Sequence, residues 1–540
     1  MHGLMQDAEL LVSKFIEFAA VNHGKQEIIS MLPEGGKIRT DYAAVNLRAK
    51  KLAQALGRLG VEMGDCVGTL AWNSHRHMEC WYGISGMGAV AHTINPRLFP
   101  EQLIYIMNHA EDKVLFTDVT FVPLLEKLKD HLTSIKYFIV MVGRDHMPDS
   151  SLDNMLCYEE LIAAEDGVYS WPEFSEKTAC GLCYTSGTTG NPKGVLYSHR
   201  SNYLHTMATL SKDCFSMGSE DVMLPVVPMF HANAWGIPYA AAAAGTKLVL
   251  NGPHHDPQTL HGLMMDEGVT HTAAVPSVWT PMLQYVEAGN LDFGALGSVV
   301  IGGSACPRSM IKTFKEKYGI WVAHAWGMTE LSPLGTIGTP NAFTKNLEGE
   351  DMIDLQSKQG RGVIGIEMTI MDDDGNELPR DGKASGRLMV RGPWVISEYY
   401  KSDTGSATEA GGWFDTGDMA NIDALGFMQI TDRSKDVIKS GGEWISSIDL
   451  ENAAMGHPAV FEAGVIGRYH PKWEERPLIA VVLNEGAQLT YEDLNDYLAD
   501  KVAKWWLPDG MEIVAELPHT ATGKISKKDL REQFKDYQFS

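Results

Sequence analysis

The sequence is short of cysteine, short of basic charge, and without a long apolar run. Seven cysteines in 540 residues, at positions 66, 80, 157, 180, 183, 214 and 306, are odd in number and scattered, which argues against a disulfide framework and suits a reducing compartment. Cys180 and Cys183 have the spacing of a zinc or redox pair, but no second Cys/His pair stands at a usable distance. Forty-five basic against 69 acidic residues leave a formal charge of −24, which repels nucleic acid and anionic membrane. An anionic ligand therefore needs a local cluster of lysine, arginine and backbone N–H groups. The longest apolar stretch, 235–245, contains Pro238 and ends before Lys247, far short of a membrane span. Residues 1–25 carry Asp7, Glu9, Lys14 and Glu17 among apolar neighbours, predicting an amphipathic helix and not a signal peptide. These features predict a cytoplasmic globular protein, and 540 residues exceed one ordinary core, so two to four packed units are expected.

What is present is a run of Ser, Thr and Gly that ends in a lysine: Thr185, Ser186, Gly187, Thr188, Thr189 and Gly190, then Asn191, Pro192 and Lys193. Its glycines let the backbone turn tightly toward an anion, its hydroxyls add donors, and Lys193 supplies a mobile positive charge, so polyphosphate is the natural guest. The Walker pattern has Gly-Lys adjacent; here Asn191-Pro192 separates Gly190 from Lys193, which disfavours a P-loop nucleotidase. Before this run, helical spacing over 42–59 and short apolar runs at 66–71, 89–91, 114–116 and 137–141 predict an α/β sheet. After it, strand candidates at 222–224, 247–250, 271–275 and 298–301 predict a second. Residues 362–392 change to β-branched runs with Asp-Gly turn signals, predicting a small antiparallel β unit. The last hundred residues mix strands (463–466, 478–483) with helices (490–504, 526–534), enough for a separate α+β lid whose joint falls in the charged run 432–436. The expected fold is therefore α/β: a large domain over 1–432, built of two α/β subdomains and a small β unit, and a small lid over 433–540.

Several further stretches carry chemistry. Gly302 and Gly303 follow a strand, where a flat ring can lie against bare backbone, and Ser304 continues the turn. Asp418 ends an Asp-Thr-Gly-Asp run and, like the acid of dinucleotide folds, can accept both ribose hydroxyls. His231 and Trp235 lie in an apolar, glycine-flanked stretch, with no carboxylate between 229 and 236.

Taken in order, these stretches resemble the adenylate-forming superfamily, which includes acyl-CoA synthetases, luciferases and the adenylation domains of peptide synthetases. The resemblance covers nearly the whole chain. It implies that Thr185 to Gly190 and Lys193 hold the phosphates of ATP. It makes Gly302, Gly303, Ser304, Ala325, Trp326, Gly327 and Met328 an adenine wall, with Thr329 near the phosphate. Glu330 and Thr185 would hold Mg²⁺, since a carboxylate beside a triphosphate needs a bridging hard cation. Asp418 and Arg433 would contact ribose or phosphate, and Lys435 falls at the interdomain hinge. Lys439, Gly441, Gly442 and Glu443 would line the coenzyme A tunnel, with Trp444 stacking on the nucleotide or packing the lid; His231 and Trp235 would border the acyl pocket, Trp235 as a gate between it and the nucleotide site, and Lys524 would contact substrate carboxylate and α-phosphate. The sequence departs from the superfamily's pattern at His519, where Arg or Lys is usual, and at Glu474-Glu475, where Gly-Glu is common.

Absence of an acid near His231 argues against an amino-acid substrate. Residues 94–100 and 231–235 resemble those of medium-chain acyl-CoA ligases and bacterial 3-methylmercaptopropionate-CoA ligases. The implied reaction is ATP-dependent formation of an acyl-adenylate from a small carboxylic acid, then thioester formation on coenzyme A, in a homodimer. A medium- or long-chain fatty acid ligase, a carrier-protein-dependent adenylation enzyme and a non-catalytic nucleotide sensor stand as alternatives.

Overall fold

The computed structural model describes all residues except His2, 186–190, Thr404, Ser434, 441–442, 521–523 and Ser540. The short apolar runs become strands and the charged, periodic stretches between them become helices, as parallel pairing demands of its crossovers. Seven strands assemble in the order Met155–Cys157, Tyr137–Val140, Val114–Thr117, Cys66–Leu70, Val90–Thr93, Ala179–Tyr184, Gly194–Ser198. Every neighbouring pair is parallel except the last. Helix Tyr42–Arg58 lies on this unit, capped by Asp41 accepting from Ala44 N–H, with Val45, Ala49, Leu52 and Leu56 buried.

The second sheet has nine strands, in the order Arg361–Gly362, Leu334–Ile337, Trp321–Gly327, Ser298–Ile301, His271–Ala274, Val222–Pro225, Lys247–Leu250, Glu27–Met31, Lys37–Asp41. Its last two strands come from the far N-terminus: Glu27–Met31 pairs in parallel with Lys247–Leu250. Between the two sheets runs helix Ile237–Ala244, whose Ala240, Ala241 and Ala242 are fully buried; alanines allow both layers to approach it closely. Its neighbours in one continuous core include Trp81 and Tyr82 from the first unit and Leu388 and Trp394 from the small β unit. That unit is a four-stranded antiparallel sheet: Glu367–Met371, Gly386–Arg391, Phe414–Ile422, Met428–Arg433.

A separate five-stranded sheet begins at Ile438–Ser440 and is dominated by the hairpin Val460–His470 and Glu474–Leu483, with a buried cluster on each face. The chain is thus a large N-terminal domain and a small C-terminal one. No helix among the described residues is long and apolar enough to cross a membrane.

Two expected helices are shorter than the sequence predicts. Only Ser13–Asn22 of the first 25 residues is helical. Upstream, Leu10 N–H donates to Glu176 and Val12 N–H to the His199 ring, so side chains from elsewhere take the backbone donors that a longer helix would use. The expected helix over 490–504 stops as Tyr491–Leu498, and the chain turns so that Val502 and Trp506 join the C-terminal core.

Candidate active site

The Ser/Thr/Gly run connects, in sequence, the antiparallel strands Ala179–Tyr184 and Gly194–Ser198. Residues 186–190 lie outside the described residues, but both ends are defined. Thr185 N–H donates to the Lys193 carbonyl at 2.9 Å, and Lys193 N–H reaches the Thr185 hydroxyl at 3.4 Å. A Cβ at Gly194 would stand 3.1 Å from that of Tyr400, so glycine here lets a third segment approach, and Tyr400 N–H donates to the Gly194 carbonyl at 2.8 Å. The Lys193 ammonium rests over the Tyr399 ring, 4.7 Å from its centre.

Tyr399 leads to the acidic side of the cleft. Its hydroxyl donates to Glu330 at 2.9 Å, and Ile396 N–H holds the Glu330 carbonyl at 2.8 Å. Glu330 is buried, which raises its pKa; the Tyr399 hydrogen bond and the charges of Arg433 and Lys193 oppose that shift. Beside it, Thr329 opens a short 3-10 turn and its carbonyl accepts from Tyr197, 2.7 Å away. Asp418, also buried, accepts from the Trp326 indole N–H at 2.9 Å and pairs with Arg433 at 3.2 Å. The Trp326 ring packs against Gly335, where a Cβ would stand 2.4 Å from it.

Lys524 enters this region from the C-terminal domain. Thr520 N–H donates to its carbonyl at 2.7 Å, and neighbouring His519 is bonded to Glu462 at 2.8 Å, which ties the loop to strand Val460–His470 and raises the imidazole pKa. Desolvation pushes the Lys524 amine down to about 8; Arg433 adds to the shift, while Asp418 and Glu330 oppose it. Those influences come from the large domain, so the lysine faces the cleft between the domains.

On the acyl side, residues Ala232 to Gly236 form a left-handed turn with φ of 43°, 54°, 46°, 57° and 76°. Four of the five are not glycine, at a cost of roughly 1–2 kcal/mol each. The surroundings hold it: Cys183 Sγ lies 3.7 Å from the Asn233 side-chain oxygen, and the His205 ring packs on Gly236, where a Cβ would fall 2.8 Å away. The turn sends Trp235 against the chain just past strand Ser298–Ile301, its indole 3.3 Å from where a Cβ of Gly302 would be. The same Cβ would meet the Ala325 carbonyl at 2.9 Å, so Gly302 lets three segments converge. Gly303, at φ 82°, turns the chain away and leaves Ser304 exposed. His231 is pushed down to about 4 by burial, with Lys524 and Arg97 adding to the shift, and is neutral near pH 7.

The other expected positions are more dispersed. Lys435 lies in the turn between the last strand of the β unit and the C-terminal sheet, its amine lowered by burial. Lys439 is exposed and faces Trp444 across a short hairpin, Ile438–Ser440 with Glu443–Ile445. Gly441 and Gly442, the expected tunnel glycines, are outside the described residues, as are the side chains of Glu443 and Trp444.

Four residues of the site escaped sequence reasoning. Tyr399 lies in a segment without turn signals or motif spacing. Arg97 sits in the stretch 94–100, noted for its resemblance but with no role given to the arginine, yet its guanidinium is 5.9 Å from the centre of Phe230 and its charge acts on His231. Asn73 is buried and staples the acyl segment, donating to the Pro225 and Val227 carbonyls at 2.9 and 3.0 Å and accepting from Met229 N–H at 2.7 Å. His205 accepts from Leu334 N–H at 3.2 Å as well as packing on Gly236. Only the contacts of the folded chain single these out.

Comparison with known proteins matches residues 15–400 to the AMP-binding enzyme family and 449–524 to the AMP-binding enzyme C-terminal domain. The chain is 48% identical over 536 residues to a medium-chain-fatty-acid–CoA ligase of Ectopseudomonas oleovorans, covering 99% of this chain and 98% of that one. It is also 48% identical to a 3-methylmercaptopropionyl-CoA ligase of Ruegeria lacuscaerulensis, covering 99% of each. Among solved structures, an anthranilate CoA ligase in complex with anthranoyl-AMP superposes with a TM-score of 0.88 at 24% identity, over 98% of both chains. The likeness in fold runs through both domains, and the family matches take in both the 185–193 run and Lys524: the chain belongs to the AMP-binding enzyme family.

Proposed function

We propose that the protein is an AMP-forming acid–thiol ligase that converts a short- or medium-chain carboxylate to an acyl-adenylate and then to its coenzyme A thioester. The observation that carries this is the convergence, on one cleft, of Lys193, Glu330, Asp418 and Arg433 from the large domain with Lys524 from the small one. A carboxylate resists attack because its charge is delocalised and oxide would have to leave. In the proposed first half-reaction its oxygen attacks the α-phosphorus of ATP and pyrophosphate departs; in the second, the coenzyme A thiol adds to the acyl carbon and AMP departs. Lys524 and Lys193 neutralise charge that grows on the phosphate oxygens, so catalysis is electrostatic more than acid–base.

Glu330 and Thr185 present hard oxygen donors at the phosphate hairpin, a set that suits Mg²⁺. Among the described residues no group of three or more His, Cys, Asp or Glu converges to hold a metal, which fits a cation carried largely by the triphosphate. When bound, Mg²⁺ supplies charge neutralisation on the phosphate oxygens. Asp418, held by Trp326 and Arg433, has lone pairs left for the ribose hydroxyls.

Neutral His231 and the Trp235 indole favour an uncharged, apolar tail. A short alkyl chain and the thioether of 3-methylmercaptopropionate are nearly the same guest; 3-methylmercaptopropionate is the favoured acid and a longer fatty acid the alternative. One small domain cannot present both Lys524 and the 439–444 hairpin to the same site, so the chain beyond Arg433, which closes the last strand of the β unit, forms a lid that turns about Lys435 between half-reactions. Assembly as a homodimer and residence in the cytoplasm belong to the same proposal. The test is AMP formation from ATP, Mg²⁺ and a panel of straight-chain acids beside 3-methylmercaptopropionate, with and without free coenzyme A. AMP release that ignored free coenzyme A would favour the carrier-dependent alternative.

A further inference from the structure

Tyr399 stands between two groups of opposite charge. Its ring lies under the Lys193 ammonium at 4.7 Å and its hydroxyl donates to Glu330 at 2.9 Å. The backbone around it is fastened to the same two places: Ile396 N–H bonds the Glu330 carbonyl and Tyr400 N–H the Gly194 carbonyl, each at 2.8 Å. The strap 396–400 therefore joins the phosphate hairpin to the acidic turn, with Tyr399 at the point between them. Although Lys193 influences Glu330 electrostatically, the two form no ion pair among the described residues. Lys193 is exposed and Glu330 buried, and an ammonium and a carboxylate that share a neighbour attract each other and are expected to pair directly unless something occupies the space between them.

We propose that Tyr399 is a positioning residue that keeps Lys193 and Glu330 apart, so that the lysine is free for the polyphosphate and the carboxylate stays on its own side of the cleft. The ring gives the ammonium a seat that a phosphate can displace, because a cation–π contact at an exposed ammonium is weak and carries no opposing charge. The hydroxyl gives the carboxylate a neutral partner. Without both, nucleotide would have to break a Lys193–Glu330 pair before binding. This rests on the reading of the cleft as an ATP site.

The test is the affinity for ATP measured by calorimetry with EDTA present, so that neither metal nor turnover contributes. Tyr399→Leu should weaken ATP binding about three- to thirtyfold. Glu330→Gln removes a negative charge near the triphosphate and should improve binding in any background. The decisive quantity is the difference: the gain from Glu330→Gln should be at least fivefold larger in the Tyr399→Leu background than in the unaltered protein, since only there does it also release Lys193. Equal gains in the two backgrounds overturn the proposal and leave Tyr399 a packing residue. If Tyr399→Leu does not fold, the same cycle on Tyr399→Phe decides the matter, because freeing the carboxylate from the hydroxyl should still enlarge the Glu330→Gln gain, by about twofold. An unaltered protein that did not bind ATP would defeat the nucleotide reading and this proposal together. Binding that is weakened by Lys193→Ala but shows no coupling through Tyr399 would defeat this proposal alone.

Discussion

The two domains bring their charged groups to the cleft in different states of preparation. In the large domain, Glu330 and Asp418 are buried but each has a fixed donor, Tyr399 for one and Trp326 with Arg433 for the other. In the small domain, Lys524 is desolvated, yet among the described residues no carboxylate stands within ion-pair distance of its ammonium, and only longer-range charges act on it. A buried charge without a partner is costly, and groups that keep one task throughout a reaction gain from being locked. A group that is needed for one step and must then withdraw gains from a hold without a committed bond. The contrast fits a fixed half-site completed by a moving lysine.

The strongest way to break this comparison is Lys524→Ala. Adenylation, followed by pyrophosphate exchange, should fall by roughly two to four orders of magnitude, whereas thioester formation from supplied acyl-adenylate should survive. Equal losses in both half-reactions would make the lysine as permanent a part of the site as Glu330.

Next in size is Asn73→Ala, which probes the locked side. It would remove the side-chain partner of Met229 N–H and of the Pro225 and Val227 carbonyls, and should cost about 3 kcal/mol or more in denaturant unfolding, given that each buried group left unpaired costs about 1–3 kcal/mol. A stability unchanged within error would show that the acyl segment does not depend on this clamp.

Trp235→Ala removes the indole that rests against Gly302. Longer acids should gain up to ~0.8 kcal/mol for each newly buried methylene while a short acid loses affinity. The chain-length profile of kcat/KM, read together with Tm, separates this gate from ordinary core. An unchanged profile with a large fall in Tm would remove the gate.

The smallest effect is a pH limb. The Lys524 amine, pushed down to about 8, is charged below that pH and neutral above it. The adenylation kcat/KM for ATP, which reports the free enzyme, should therefore decline as pH rises through about 8. Bound polyphosphate favours the charged form, so the limb in kcat should lie higher. Lys524→Arg keeps its charge throughout and should flatten the limb even if its overall rate is reduced.

Much of the fold was legible because the strand-forming runs at 66–71, 137–141, 222–224 and 298–301 are short, apolar and set between helical periodicities, and each is a strand in the structure. Of the charged residues that the structure brings to one cleft, Lys193 and Asp418 stand out by the composition of their own segments, whereas Glu330 and Lys524 were singled out only through the family resemblance. Tyr399, Asn73, Arg97 and His205 were not. A lone tyrosine or asparagine in an apolar neighbourhood has the same local pattern whether it packs a core or holds a catalytic group, and only its partners, distant in sequence, tell the two apart.

By itself the sequence determined where most strands and helices form and which stretch is rich in glycine, hydroxyls and a terminal lysine, because these follow from periodicity and composition within a few residues. Tertiary structure decided what joins what. It placed Glu27–Met31 beside Lys247–Leu250, more than two hundred residues away, and bent 232–236 into a left-handed turn that no local preference favours. It also brought Lys524 toward Glu330 and Asp418 and set Tyr399 between Lys193 and Glu330. Such pairings arise when burying a shared core outweighs local conformational cost, and that balance exists only once the whole chain is packed.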